Sequence, residues 1–383
     1  MRLRHPDGTV VHVAYCTNVH TATDVKGVVG LLGGYAEPVR ERLDVDRLGL
    51  GLWLAADVVT GLIGDPAALR RLRAELAARG LDVVTLNAAP YGRPSDGDVK
   101  QAAYSPDWTD QRRLAYTLSC ARLLTELLPD NVVRGSVSTL PLAWRSPWTP
   151  ARGAAARRAL DNLADGLAEL HWSTGRRVRV GLAPEPGCVI ETAEQSVMYL
   201  STVDNEWIGV SLDTCHVAVT FEPAVTAVER LAAAYVPVVK AQVSCAVQAD
   251  DPGSALPELA GLVEPRFLCQ TTTFVDGRRL VADDLPDALA GDLPTGRPWR
   301  VHVHAPVHVP LDAPLSTTAG VVTDTLAALF DPSSGAQTDH VEVATHTWSG
   351  APGGRDVVGG IAAELAWTRD RLVAVGLKDE EPA

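Results

Sequence analysis

Acidic and imidazole side chains recur in this sequence at the ends of short apolar runs. Glu185 follows the run 181–184, and Asp213 follows 210–212 with His216 three positions further on. A carboxylate in such a setting is costly unless it is paired or binds a cation. A carboxylate and an imidazole at this spacing can supply an oxygen and a nitrogen to one divalent metal. The alternative is that Asp213 caps a following helix and that His216 is a loop histidine.

Two later segments add further donor groups. His302 and His304 occupy alternate positions of the segment 300–308, so they share a face if that segment is a strand. Imidazole is a common ligand of zinc, iron and manganese. Glu342 lies inside the last apolar run, where burial without a partner would be expensive. We therefore interpret Glu342 as a metal ligand or a base.

Three polar residues alternate along the segment 238–244, namely Lys240, Gln242 and Ser244. Alternation places them on one face of a strand. On a central strand of a closed sheet they would line a wet site, and on an edge strand they would face solvent. We count Lys240 as a catalytic candidate and Gln242 as a metal or substrate contact.

Weaker candidates follow the other strands and are assigned to a substrate wall, in which a tryptophan can stack on a sugar face. A tryptophan in an apolar barrel can equally belong to the core. There is no Gly-x-Ser-x-Gly elbow and no cysteine motif of a nucleophile, which disfavours covalent catalysis. The substrate-wall candidates are Asn18, His20, Trp53, Asn87, Tyr91, Gln242, His302 and Trp348.

Short apolar runs alternate with longer helical segments rich in Ala, Leu and Arg, an order that predicts parallel strands with crossover helices. An open doubly wound sheet would give the same pattern, but no first turn carries its Gly-rich phosphate fingerprint. The runs number nine, one more than a barrel needs. They are Val11–Asn18, Leu48–Leu54, Leu81–Asn87, Val132–Ser138, Val178–Pro184, Ile208–Asp213, Val238–Ser244, Arg300–His304 and Val341–Ala344.

The helical segments include credible caps, since Asp65 precedes Pro66 and Thr149 precedes Pro150. Residues 250–298 break the rhythm with six prolines and a hairpin signal at Asp276-Gly277, which predicts a late insertion. No linker separates two domains, so we expect one domain over residues 1–383. The predicted helices are Pro66–Arg79, Asp110–Leu128, Pro150–Ser173, Glu222–Tyr235 and Leu315–Phe330.

The composition restricts the class of protein. A chain of 383 residues that is 46% hydrophobic and 21% charged has a globular profile. Its formal charge of −13 disfavours nucleic acid as a partner and favours a small polar substrate. We expect no membrane span and no apolar signal core, and therefore a cytoplasmic protein of six reduced, mostly buried cysteines. The sequence leaves open whether the chain forms a homo-oligomer.

Taken in order, Glu185, Asp213-x-x-His216, Gln242 and Glu342 resemble the xylose-isomerase-like superfamily of sugar isomerases, epimerases and endonuclease-IV-type enzymes. More specifically, five motifs look like those of the EboE-type metabolite-traffic proteins of bacterial operons, over nearly the whole chain. These motifs are Tyr15-Cys16-Thr17-Asn18-Val19-His20, Ser138-Thr139-Leu140-Pro141-Leu142, Leu212-Asp213-Thr214-Cys215-His216, Arg300-Val301-His302-Val303-His304 and Val341-Glu342-Val343.

The resemblance implies a (β/α)₈ TIM barrel that holds one divalent metal, whether Mn, Zn, Fe, Co or Mg. It implies Glu185, Asp213 and Glu342 as ligands, with His216 as a ligand or a substrate contact. The superfamily's usual histidine is replaced by Gln242, so the missing nitrogen would come from His302 or His304. EboE-type chains are also expected to carry an acidic residue near Ala344.

These observations predict a metal-dependent isomerase or epimerase of a sugar or cyclitol-like metabolite. Its metal would stabilise an enediolate while a carboxylate such as Glu185 or Glu342 moves the proton. The alternatives are a metal-dependent phosphoester hydrolase and a non-catalytic barrel that binds or transfers a metabolite. The catalytic candidates are Glu185, His216, Lys240 and Glu342, and the metal candidates are Glu185, Asp213, His216, Gln242, His304 and Glu342.

Overall fold

The computed structural model describes residues 1–20, 22, 24–89, 91–92, 100–345 and 356–380. The strands are β1 (Arg2–Arg4), β2 (Val10–Cys16), β3 (Leu48–Trp53), β4 (Leu81–Asn87), β5 (Arg134–Thr139), β6 (Arg177–Leu182), β7 (Ile208–Asp213), β8 (Val238–Val243), β9 (Cys245–Ala249), β10 (Thr271–Val275), β11 (Arg278–Ala282), β12 (Trp299–Ala305), β13 (Leu315–Thr317), β14 (His340–Val343) and β15 (Lys378–Asp379).

The α-helices are α1 (Val25–Leu31), α2 (Glu37–Arg42), α3 (Ala56–Gly64), α4 (Pro66–Ala78), α5 (Gln111–Leu127), α6 (Pro150–Thr174), α7 (Ala193–Leu200), α8 (Thr214–Val219), α9 (Ala224–Ala233), α10 (Leu256–Ala260), α11 (Leu285–Asp287), α12 (Ala319–Leu329) and α13 (Val357–Ala374). Short 3₁₀ helices occupy Thr17–Val19 and Lys100–Tyr104, and π-helical turns occupy Leu32–Ala36 and Ala288–Asp292.

Eight parallel strands form a closed barrel. The strands β2 to β8 pair in sequence order, and β14 then pairs with both β8 and β2. Closure excludes an open doubly wound sheet and confirms the predicted (β/α)₈ barrel. Because all eight strands run in the same direction, their carboxyl ends meet at one mouth. At the opposite end, β1 and β15 extend the sheet as antiparallel strands.

The barrel strands are apolar because helices cover them outside and side chains fill them inside. Every residue of β4 and of β7 is buried, as expected of parallel strands enclosed on both faces. The helices bury their own apolar stripes in the same core. One example is α5, whose Leu114, Leu123 and Leu124 are all buried.

Both caps expected from the sequence are present. The Asp65 carboxylate accepts hydrogen bonds from the backbone nitrogens of Ala67 and Ala68, and Thr149 accepts one from Arg152. A proline stands in the first turn of α4 and of α6, where its missing N–H costs nothing. In contrast, the predicted helix Leu315–Phe330 is shorter, because its first residues form β13 and α12 begins at Ala319.

The late insertion is an antiparallel sheet of five strands in the order β11-β10-β12-β9-β13. It extends over residues 245–317, beyond the predicted range 250–298. The segment Arg300–His304 belongs to this sheet within β12, so the eighth of the nine predicted strands is not part of the barrel. Alternation of apolar residues looks the same in either sheet, which is why the sequence did not separate them. The Asp276-Gly277 turn joins β10 to β11, with positive φ at both positions, and confirms the hairpin.

This inserted sheet is fastened to the mouth of the barrel. The Arg300 guanidinium donates to the Ala218 carbonyl at 2.8 Å, and Thr272 donates to the Val219 carbonyl, both in the helix that follows β7. The backbone nitrogen of Ala246 donates to Thr318 at 2.8 Å. The inserted sheet therefore lies beside the carboxyl ends of β7 and β8. The assignment of residues 1–383 to one domain stays a prediction.

Across the described residues, none of the helices combines the length and the apolar composition that crossing a bilayer requires.

The cap of α4 provides a test of how this helix layer is stabilised. Replacing Asp65 with Ala removes the acceptor of two backbone N–H groups, so we expect the free energy of unfolding to fall by about 1 kcal/mol. Urea denaturation followed by circular dichroism measures the change. The exposed Asp165 of α6, which caps nothing, is the matched control, and its Ala variant should stay within about 0.5 kcal/mol of the parent chain. Equal effects of the two substitutions would contradict the capping role.

Candidate active site

A buried polar cluster lies inside the barrel, and we call its members Lys240, Glu342, Asn87, Gln242 and Ser138 the axial cluster. The Lys240 ammonium donates to Glu342 Oε2 at 2.7 Å, to Asn87 Oδ1 at 3.0 Å and to Ser138 Oγ at 3.3 Å. Each of its three hydrogens thus has an acceptor. Lys240 and Glu342 are both 0% exposed, so this ion pair is fully desolvated.

The Glu342 carboxylate is satisfied on both oxygens. Asn87 Nδ2 donates to Oε1 at 2.9 Å, and Gln242 Nε2 donates to Oε2 at 3.1 Å. The carboxylate also needs the glycine at position 51, because a Cβ there would lie 1.6 Å from Oε1. The axial cluster is therefore closely fitted as well as charge-balanced.

Two arguments made from the sequence change here. Burial without a partner was the reason for interpreting Glu342 as a ligand or base, and that reason fails because Lys240 is its partner; the role itself stays a prediction. The edge-strand reading of 238–244 is wrong, because β8 lies between β7 and β14. Of its polar residues, Lys240 and Gln242 enter the axial cluster, whereas Ser244 lies beyond the end of the strand and donates to Asp213 Oδ1 at 2.7 Å.

A second group, which we call the mouth cluster, consists of Glu185, His216 and His302. Glu185 follows β6, His216 lies in α8 after β7, and His302 lies on β12 of the inserted sheet. One ligand atom from each residue lies within 4.8 Å of the others. The Nε2 atoms of His216 and His302 are 3.2 Å apart. Glu185 and His302 are only half-buried, so the cluster is open to the mouth.

Each member of the mouth cluster is held by a further contact. His216 Nδ1 lies 2.8 Å from the Pro184 carbonyl oxygen, and His302 Nδ1 lies 2.7 Å from Gln270 Oε1. The Tyr104 hydroxyl donates to Glu185 Oε1 at 2.5 Å. Such hydrogen bonds from the far side of a ligand are typical of metal sites, because they fix the tautomer and the ring orientation.

The Asp213 carboxylate lies at the edge of the mouth cluster and caps a helix. Its Oδ1 accepts from the backbone nitrogens of Cys215 at 2.8 Å and His216 at 3.4 Å. The cap that the sequence allowed as an alternative is therefore present, although His216 belongs to α8 and not to a loop. Burial raises the pKa of Glu185. The adjacent His216 lowers this pKa, whereas the negative charge of Asp213 raises it further.

His304 and Cys215 form another group with His302, again with ligand atoms within 4.8 Å. His304 Nδ1 lies 3.1 Å from the Ala344 carbonyl oxygen. Burial lowers the pKa of His304 to about 3 and raises the pKa of the Cys215 thiol well above its usual range. At neutral pH both groups are therefore uncharged. All six cysteines are buried and free, as expected.

The predicted substrate-wall residues separate into different environments. Asn87 and Gln242 belong to the axial cluster, and His302 to the mouth cluster. Asn18 Nδ2 donates to the Ala344 carbonyl at 2.9 Å, whereas Asn18 Oδ1 and Trp53 Nε1 are buried without a hydrogen-bond partner in the described part of the chain.

The remaining two wall residues contact aromatic rings. The His20 ring stacks on Tyr35 with centroids 3.7 Å apart, and Tyr91 packs edge-on against Tyr116 at 5.5 Å. Both rings are thus engaged by the surrounding protein. The last candidate of the wall, Trp348, lies outside the described residues.

Sequence reasoning missed Ser138 of the axial cluster, and it missed Tyr104 and Gln270, which contact the mouth cluster. Ser138 ends an apolar run like the other candidates, so its position could have suggested it. Tyr104 ends a short 3₁₀ helix, and Gln270 stands just before β10. Neither residue belongs to a segment whose apolar residues recur with the period of a helix or a strand. Only their distances to Glu185 and His302 identify them.

In chemical terms, the mouth cluster offers one carboxylate oxygen and two imidazole nitrogens. This donor set suits zinc and other first-row divalent ions. The residues present therefore fit the divalent metal that the sequence predicts.

Comparison with known proteins agrees with this architecture. A family model described as a xylose isomerase-like TIM barrel matches residues 56–251, just over half of the chain. No curated protein matches the chain significantly.

Several solved structures are similar over almost the whole chain. An L-ribulose 3-epimerase has 12% identity, covers 95% of both chains and gives a TM-score of 0.52. A xylose isomerase-like TIM barrel protein from Mycobacterium smegmatis, in complex with magnesium, has 12% identity over 95% of this chain and 97% of its own, with a TM-score of 0.53. A D-psicose 3-epimerase with D-tagatose from Clostridium cellulolyticum H10 has 12% identity over 94% and 99%, with a TM-score of 0.50.

The axial ion pair yields a stability prediction. Replacing Lys240 with Met leaves the Glu342 charge buried and unpaired, so we expect the free energy of unfolding to fall by about 3–5 kcal/mol. The double variant K240M/E342Q is neutral and keeps one amide oxygen that can accept from Asn87 or Gln242, so it should recover part of the loss. Urea denaturation of both variants measures the difference. A double variant less stable than K240M would contradict charge compensation as the role of Lys240.

Proposed function

The chain belongs to the xylose isomerase-like TIM barrel family, and we propose that it is a metal-dependent isomerase of a sugar or cyclitol-like small metabolite. The observation that carries the proposal is the mouth cluster, in which a carboxylate and two imidazoles meet at the carboxyl ends of the barrel strands. The sugar epimerases of similar fold support the substrate class. A divalent metal bound there would supply electrostatic stabilisation of oxygen atoms that become negative during enolisation.

The chain's own residues would then perform the proton transfer. Glu185 is half-buried and lies beside His216 at the mouth, which places its carboxylate to act as the base. Tyr104 holds its Oε1 and so fixes the plane of the carboxylate. His216 is positioned beside it to contact a substrate oxygen or the metal.

Isomerisation is favoured over epimerisation because the second carboxylate, that of Glu342, is paired with Lys240. Moving a proton between adjacent carbons on one face needs one base, whereas inverting a carbon needs groups on both faces. Glu342 is 0% exposed and paired with Lys240, so it is not available to substrate. Both residues would support the barrel interior.

Two buried polar atoms on the opposite side of the mouth are available to form hydrogen bonds with hydroxyl groups of the substrate. Asn18 Oδ1 can accept and Trp53 Nε1 can donate, and each is buried without a partner among the described residues. An unmatched buried polar atom is costly, which favours a ligand that supplies the missing hydrogen bonds. A polyhydroxylated metabolite meets this requirement.

Two other functions remain as outcomes of the tests. Phosphoester hydrolysis would use the same metal to activate water. A non-catalytic barrel would bind and hand over its metabolite, as in the metabolite-traffic operons that the EboE-type motifs suggest. The negative charge of the chain is the reason for preferring a small uncharged substrate to a nucleic acid.

Solvent-isotope exchange tests the reaction class. Aldose and ketose pairs are incubated with the metal-loaded protein in deuterated water, and products are analysed by NMR. We expect interconversion with deuterium at the carbon next to the carbonyl, and a rate at least about 100-fold lower in the Glu185→Gln variant. Trp172→Ser changes an exposed residue of α6 and serves as the control. Inversion at one carbon, ester hydrolysis without exchange, or tight binding without turnover would each contradict an isomerase.

The proposed hydrogen bond from Trp53 Nε1 to a substrate hydroxyl can be tested separately. Trp53→Phe keeps an aromatic ring but removes the indole N–H, so one substrate hydrogen bond is lost. We expect KM to rise about tenfold with little change in kcat, because the contact is made equally in the ground and transition states. Steady-state kinetics on the substrate found by isotope exchange provides the measurement. A fall in kcat with unchanged KM would contradict the assignment.

A further inference from the structure

Gln270 is fully buried beside the mouth cluster and holds several groups at once. Its Nε2 lies 3.1 Å from the Pro186 carbonyl oxygen, which can only accept a hydrogen bond. The amide orientation is therefore determined, and the same Nε2 donates to the Tyr104 hydroxyl at 3.0 Å. Gln270 Oε1 is left facing His302 Nδ1 at 2.7 Å, so this ring nitrogen must carry the proton.

His216 is constrained in the same way from the barrel side. Its Nδ1 lies 2.8 Å from the Pro184 carbonyl oxygen and must donate to it. In the neutral rings the Nε2 atoms of His216 and His302 are then both unprotonated, yet they face each other at 3.2 Å. Two lone pairs at this distance repel, and a cation that binds both nitrogens removes the repulsion.

The carboxylates near these rings lack a basic partner. No Lys or Arg within the described ranges forms an ion pair with Glu185 or Asp213, although Lys240 balances Glu342. The uncompensated negative charge of the barrel therefore lies at the mouth. Both the charge and the nitrogen geometry favour a cation at the same place.

The axial cluster, in contrast, is closed to a metal. The three ammonium hydrogens of Lys240 are used, both oxygens of Glu342 accept hydrogen bonds, and the carboxylate presses against Gly51. A metal at Glu342 would have to displace the ammonium group. Lys240 thus already supplies positive charge where the family resemblance implies a metal ligand.

We propose that this chain binds its divalent cation through Glu185, His216 and His302, and that the Lys240 ammonium replaces a metal at Glu342. The inference rests on the metal dependence of the proposed function and deepens it, because it assigns one ligand to the inserted sheet. Glu342 and Gln242 are then structural supports and not ligands. Gln270 is a positioning residue that fixes the tautomer of His302.

Zinc titration of the purified chain tests this assignment. The protein is freed of metal with a chelator and titrated with Zn²⁺ alone by isothermal calorimetry. We expect about one site per chain, with affinity at least about 100-fold lower in His302→Ala and about 10- to 100-fold lower in Gln270→Leu. The charge-neutral K240M/E342Q keeps all three proposed ligands and should bind within about threefold of the parent chain, because the two clusters share no hydrogen-bond partner among the described residues.

Additional variants separate the competing explanations. Cys215→Ala should leave zinc affinity unchanged, and a loss as large as that of His302→Ala would place the ion at Cys215 and His304 instead. A parent chain that does not bind zinc would show that a shared proton relieves the two imidazoles, which overturns the inference. Circular dichroism of each variant establishes that it is folded, and Gln270→Leu keeps all three ligands if His302→Ala does not fold.

The test also distinguishes this inference from the proposed function. Zinc bound as described, without isotope exchange on any sugar, would contradict the isomerase and leave the metal site standing. Metal-dependent sugar turnover that K240M/E342Q loses together with its zinc, while His302→Ala keeps both, would overturn the metal site and leave the isomerase standing.

Discussion

The ion pair between Lys240 and Glu342 is the interaction on which the interior of this barrel depends. It bridges β8 and β14, and its hydrogen bonds extend to Asn87 on β4 and Ser138 on β5. A buried ion pair rarely adds net stability, because the cost of removing two charges from water is of the same order as their attraction. A buried ion pair requires a hydrogen-bond partner for each of its polar atoms. Here every hydrogen of the Lys240 ammonium group has an acceptor. The barrel is therefore closed around a neutral, saturated centre.

This neutrality determines where the chemistry can take place. With Glu342 compensated, the remaining carboxylates of Glu185 and Asp213 carry the negative charge at the mouth. Asp213 is partly neutralised by the two backbone N–H groups that it caps. Glu185 remains beside His216 and His302 and is half-buried. The unpaired negative charge and the partly exposed side chains therefore lie together at one edge of the mouth, and not on the barrel axis.

The inserted sheet supplies part of the site at the mouth. It brings His302 and Gln270 against residues of the barrel that precede them by more than fifty positions in the chain. A crossover that elsewhere would be a simple helix thereby contributes a nitrogen donor and the amide that orients it. Sites held by packed strands are positioned more precisely than sites on loops. The sheet is well suited to this task because Arg300 and Thr272 anchor it to α8.

Local pattern was sufficient for the parts of this protein that depend on chain direction. Strand rhythm predicted parallel strands with crossover helices, the family resemblance added the closed barrel, and the convergence of parallel strand ends predicted that Glu185 and Asp213 would share one mouth. Pattern alone could not separate Arg300–His304 from the barrel strands, because alternation is the same in both sheets. It also could not reveal that Glu342 is paired with Lys240, 102 positions away, or that Gln270 determines the tautomer of His302. By itself the sequence determined which residue types reach the mouth; the tertiary structure decided which of them neutralise one another, because charge pairing and tautomers depend on distances of a few ångströms between segments far apart in the chain.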